Sequence, residues 1–159
     1  MKKSVILVAF VLMALWISSC SSDTAEDNLQ NSEASVQAIT NLAVSGTWFI
    51  SSYVDSGTDE TNNFNGYGFT FNSDGSLIAD NGSATITGTW SVTSDDSSDD
   101  SDDYDSSDDI DFNLFFSAPP DFAELSEDWD IVSRSASRIE LIDVSGGDGG
   151  TDTLTFVMN

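Results

Sequence analysis

The side chains able to do chemistry in this chain are few in kind. Among 159 residues there is one cysteine, Cys20, and no histidine, set against 28 Asp and Glu and only four Lys and Arg. A lone cysteine forms no intramolecular disulfide, and without histidine there is neither a Ser-His-Asp triad nor a Cys/His zinc site. A general base would have to be a carboxylate or a tyrosine. A glycosidase-type carboxylate pair needs a separation of about 5–9.5 Å, which some pair among 28 acids meets by chance. Glu124, Glu127 and Glu140 are the acids nearest predicted ordered structure, and none sits in a recognisable motif. Gly-x-Ser-x-Gly and phosphate-binding glycine patterns are absent. The chain therefore reads as a non-enzyme. A formal charge of −24 with no basic patch also excludes nucleic acid as a partner.

The densest charge is a run at 95–109 that holds nine Asp, five Ser and Tyr104. Such a run repels itself and cannot be buried. Its plain reading is a solvated, disordered loop over 94–109. Its functional reading is weak binding of Ca²⁺ through Asp99, Asp100, Asp102 and Asp103, since clustered carboxylates are what hard cations prefer. No EF-hand spacing is present, so affinity would fall in the weak range of about 10⁻⁴–10⁻³ M. Asp143, Asp148 and Asp152 around a glycine-rich turn form a second acidic group, better explained by turn chemistry.

The amino end has a different character. Lys2 and Lys3 precede an apolar run of 13 residues at 5–17. As a helix this would span roughly 20 Å, short of the about 20 residues needed to cross a bilayer, and it reads as an export signal. The run ends in Ile17-Ser18-Ser19-Cys20, which resembles the lipobox of bacterial lipoproteins. That resemblance implies a diacylglycerol on the Cys20 sulfur, cleavage after residue 19 and acylation of the new amine. A single acyl chain binds membranes only marginally, whereas several hold stably. Cleavage would leave Arg134 and Arg138 against 28 acids, a charge of −26 that anionic headgroups repel. Membrane contact would then rest on lipid alone. The Ser- and Asp-containing stretch after Cys20 resembles signals that carry some Gram-negative lipoproteins to the cell surface. The expected location is the outer membrane, on its periplasmic or its outer face. Residues 20–43 are too polar to bury a core and read as a flexible acidic tether, with a short helix at 34–42 where Val36, Ile39 and Leu42 recur at helical spacing.

From Gly46 onward the apolar period is two, the signature of strands. Eight are expected, at 46–54, 66–71, 76–80, 84–93, 110–116, 129–134, 138–143 and 153–158. Asn81-Gly82 marks a two-residue hairpin. Pro119-Pro120 stops the fifth strand, and Asp121 is placed to cap a helical turn at 122–126. Eight short strands joined in sequence predict an all-β, antiparallel, up-and-down barrel over 44–159, because closure removes both sheet edges.

Gly46-Thr47-Trp48 at the start of the first strand, followed by this meander, resembles a lipocalin-like domain of the kind carried by bacterial lipoproteins. Gly88-Thr89-Trp90 repeats the motif within Asn81-Gly82-Ser83-x-x-x-x-Gly-Thr-Trp. The resemblance implies that Trp48 plugs the closed end of the barrel and that a late Arg, Arg138 or Arg134, stacks on it. It also implies binding of a small apolar or amphipathic ligand. Phe69, Phe71, Trp90, Phe112, Phe116 and Trp129 would line that pocket, or else fill the interior as core. In the second case the protein is a structural or interaction lipoprotein. Replacing Cys20→Ala is expected to release the protein from the membrane pellet into the soluble fraction; membrane association that survives the change would refute the anchor.

Overall fold

The computed structural model describes residues 24–94, 110–145 and 150–158. It contains helix α1 (Thr24–Ala43), strands β1 (Thr47–Asp55) and β2 (Thr58–Asp59), a 3-10 turn (Thr61–Phe64), and strands β3 (Gly68–Phe71), β4 (Ser76–Asp80), β5 (Thr85–Ser94) and β6 (Ile110–Phe115). The one-turn helix α2 (Pro120–Ala123) follows, then β7 (Asp128–Ser135), β8 (Arg138–Val144) and β9 (Thr151–Val157). Consecutive strands pair antiparallel in the order β1-β3-β4-β5-β6-β7-β8-β9, and β9 returns to β1, with Phe49 opposite Val157 and Tyr53 opposite Leu154. The expected eight-stranded up-and-down barrel is thus present and closed.

Differences from the sequence reading have local causes. β2 is an additional ninth strand. Ser56 (φ 47) and Gly57 (φ 87) both take positive φ, the geometry of a tight two-residue hairpin, and fold Thr58 back onto Asp55. Asn81-Gly82 is not the two-residue turn itself: the Asn81 side-chain oxygen accepts the backbone N–H groups of Ser83 (3.0 Å) and Ala84 (2.8 Å), the Asn81 N–H donates to the Ala84 carbonyl (3.2 Å), and the regular ladder begins at Asp80 opposite Thr85. β3 starts at Gly68, not at 66, because the Tyr67 N–H donates to the Phe64 carbonyl (3.1 Å) and prolongs the 3-10 turn. α2 starts at Pro120, whose missing N–H costs nothing at a first helical position, and Asp121 lies in the first turn without capping it. The helix expected at 34–42 runs from Thr24 to Ala43, with Ile39 and Ala43 buried against the barrel.

Alternation along the strands sends one face of each inward, and the inward residues meet in one core. Trp48, Phe69, Leu77, Phe112, Trp129, Leu154 and Phe156 have no exposed surface. Gly88 sits on the inner face of β5 between Ile86 and Trp90, where a methyl would meet the Phe116 ring at 2.7 Å and also the Phe115 carbonyl oxygen. The glycine admits Phe116 across the strand. Because part of that obstruction is backbone, Gly88→Ala should overpack the core and cost about 1–3 kcal/mol. Urea denaturation would show a lower midpoint; an unchanged or higher midpoint would contradict this packing.

Candidate functional site

The described residues form two mouths and a filled space between them. At the first mouth β1, β4, β6 and β8 begin, and α1 covers it. Trp48, buried at the start of β1, donates its indole N–H to the carbonyl of Ala43, the last residue of α1, at 2.8 Å. This bond satisfies a carbonyl that a helix end leaves without an internal partner and fixes the helix to the barrel. At the opposite mouth the 3-10 turn and α2 meet: Phe64 and Phe122 contact edge to face, 5.2 Å apart. There the Tyr53 hydroxyl donates to the Glu124 carbonyl (3.0 Å) and the Trp129 indole to the Leu125 carbonyl (3.1 Å). Trp90 holds the β3–β4 turn in the same manner, donating to the Asn72 carbonyl at 2.9 Å.

The six aromatics named as pocket or core are brought together. Phe69 lies 5.5 Å from Phe156, which lies 5.6 Å from Phe71; Phe71 reaches Phe112 (5.5 Å) and Trp90 (5.1 Å). Phe69 also touches Phe116 at 6.5 Å, and Trp129 joins through Tyr53 at 6.5 Å. These rings pack on one another as an interior column. The clefts described here, of about 690, 500 and 110 Å³, are lined by α1 with β5, by β5 and β6 with the segment 126–128, and by Ser35, Ile39, Ile110, Ile131 and Arg134. Gly46 backs onto Met158, whose sulfur would lie 3.0 Å from an added methyl. Arg138 points outward and pairs with Glu140 at 2.7 Å, while Arg134 borders the smallest cleft. Ile17, Ser18, Ser19, Cys20, Asp99, Asp100, Asp102 and Asp103 lie outside the described residues. Among the described residues no helix is long and apolar enough to cross a membrane.

One acidic group was not foreseen in the sequence. Carboxylate oxygens of Asp55, Glu60 and Glu124 lie within 4.8 Å of one another at the second mouth. Two ligands on opposite sides of a Ca²⁺ ion are about 4.8 Å apart, given bonds of about 2.4 Å, so the group has the size to hold a divalent cation. Glu60 and Glu124 are separated by most of the barrel in sequence, and no spacing signal links them; the Tyr53 bond to the α2 segment is what brings Glu124 over. The Glu124 carboxyl is raised above its ordinary value, first by loss of water, then by a hydrogen bond with Glu60 and repulsion from Glu60, Asp55 and Asp121.

Comparison of the chain with protein families, with curated proteins and with solved structures finds no match. The closed eight-stranded architecture therefore stands on the strand pairing itself.

The raised Glu124 gives a pH signature. The native state holds this proton where the unfolded chain has released it, so the contribution is favourable below the ordinary carboxylate value of 4.5 and is lost as pH rises through the raised one. Glu124→Gln should stabilise the protein at pH 7 by about 0.5 kcal/mol, the scale of exposed charge pairs, and have little effect near pH 4. Denaturation of both proteins at the two pH values checks this; destabilisation at pH 7 would contradict it.

Proposed function

We propose that this is a lipid-anchored, non-catalytic envelope protein whose barrel is a filled interaction module instead of a ligand container. The observation that carries this reading is the aromatic column. Phe69, Phe71, Phe112, Phe116, Phe122 and Phe156 contact one another in the space where a lipocalin-type ligand would sit. An eight-stranded barrel is just wide enough for side chains to fill it or for one small ligand, and the twenty-one buried apolar residues among those described favour the first outcome here. α1 at one mouth and α2 at the other add a covering at each end.

Anchoring follows from Cys20 and its lipobox-like context, and the outer membrane from the signal they resemble. Non-catalysis is supported by the chemistry at hand. With no histidine, catalysis would fall to carboxylates or tyrosines. Of the candidates, Tyr53 is buried with its hydroxyl pushed far above the ordinary tyrosine value by loss of water and by Asp55, Asp152, Glu124 and Glu60. That hydroxyl stays protonated and serves as a structural donor.

A hydrophobic fluorescent probe such as anilinonaphthalene sulfonate, titrated against the folded full chain, should show no saturable binding. Saturable uptake competed by a fatty acid would overturn the filled-barrel reading in favour of a ligand carrier.

A further inference from the structure

The chain holds two Asn-Gly pairs, Asn65-Gly66 and Asn81-Gly82, and both are exposed. In such a pair the backbone nitrogen of the glycine can attack the asparagine side chain, because no Cβ stands in its way. The nitrogen first gives its proton to hydroxide, then bonds to the asparagine Cγ. The bond from Cγ to Nδ2 breaks, and the amide leaves as ammonia with a proton taken from water. Water then opens the five-membered imide. Breaking the new bond leaves Asp; breaking the original backbone bond leaves isoaspartate, whose main chain is longer by one atom. As free dipeptide units the two pairs are chemically alike, so the fold decides between them.

At Asn81-Gly82 every reacting group is held. The Asn81 side-chain oxygen accepts two backbone N–H groups, from Ser83 and Ala84, which fix the side chain in the loop. The Gly82 N–H donates to the Asp80 carboxylate at 2.9 Å. An anion beside that N–H opposes loss of its proton, the first step of the reaction. Asp80 is itself held in place, since its other oxygen accepts the Thr85 hydroxyl.

Asn65-Gly66 has none of these restraints. Phe64 to Tyr67 form a type II turn, with Asn65 at φ −57 and ψ 126, Gly66 at φ 83, and the Tyr67 N–H on the Phe64 carbonyl. Among the described residues the Gly66 N–H has no acceptor and the Asn65 side-chain oxygen has no donor. The side chain is held only through its Nδ2, on the exposed Asn62 oxygen at 3.0 Å. Rotation about ψ of Asn65 brings the Gly66 nitrogen toward the side chain. Glycine at this position lets the central peptide rotate between type II and type I with the closing bond kept.

We propose that Asn65 is a site of spontaneous deamidation in the folded protein, and that Asp80 and the Asn81 loop protect the second pair. The place matters because Phe64 and Tyr67, on either side of the turn, both pack edge to face on Phe122, at 5.2 and 5.0 Å. Isoaspartate at 65 would lengthen the chain between them and loosen this cover of the second mouth.

The full chain in detergent is incubated at mildly alkaline pH, folded and in urea. Peptide mass mapping locates Asn converted to Asp, and an isoaspartyl methyltransferase labels the isomer. In urea both pairs should convert at comparable rates. In the folded protein Asn65 should lead Asn81 by about tenfold or more, because Asn81 reacts only when its loop opens. Asp80→Ala should raise the rate at Asn81 and leave Asn65 as it was. Asp74→Ala, which removes a similar carboxylate from the neighbouring β3–β4 turn, should change neither. Equal rates in the folded state, Asn81 leading, or an Asp80→Ala variant no faster at Asn81 would overturn the proposal. The comparison of folded and unfolded wild type decides even where a variant folds poorly. The isolated isoaspartate form should unfold at lower urea; an unchanged midpoint would refute its effect on the mouth.

Discussion

The packing of aromatic rings inside a closed sheet is the constraint from which the rest of this structure follows. Phe156 on β9 stands between Phe69 and Phe71 on β3, at 5.5 and 5.6 Å, and so joins the last strand to the second strand of the barrel wall. Edge-to-face contacts of this kind contribute about 0.5–1.5 kcal/mol each beyond the area they bury. Closure of β9 on β1 and filling of the interior are therefore one event: the strands that shut the barrel carry the rings that occupy it. Three tryptophans extend this order outward. Each buries an indole in or beside the column and donates its one N–H to a carbonyl in a connection, Ala43, Asn72 or Leu125. The helix, the β3–β4 turn and the α2 segment are fixed by the core, not by their own propensities.

A filled interior leaves the outside as the place where selectivity can reside. That outside is strongly acidic, and it is uneven. Carboxylates gather at the second mouth, where Glu124 and Glu127 are both raised by burial and by like charges around them. Acids held close at a cost in protonation are a surface whose electrostatics is relieved by a cation. In the proposed arrangement a lipid at Cys20 supplies attachment, so none of this surface is needed to bind the membrane.

Much of the barrel could be read in the residues because alternation of period two is a strong local signal. The clean sequence Ile110, Phe112, Leu114, Phe116 predicts an inward face, and all four are buried. What could not be read depends on contacts distant in sequence. β2 arises from Ser56 adopting positive φ, which its identity does not announce. The docking of α1 depends on a barrel mouth that accepts Ile39 and Ala43. The acidic group of Asp55, Glu60 and Glu124 exists only once Tyr53 has drawn in the chain after α2. Whether the aromatics line a cavity or fill one was equally open in the sequence, since the same residues serve both ends; only their mutual distances separate the two.

The central claim is that the barrel is solid, and native mass spectrometry of the protein purified from its own cells tests it most directly. The account predicts one species, at the mass of the chain beginning at Cys20 plus its acyl groups, with nothing else retained under gentle activation. A co-purifying small apolar molecule released only when the chain unfolds would contradict it.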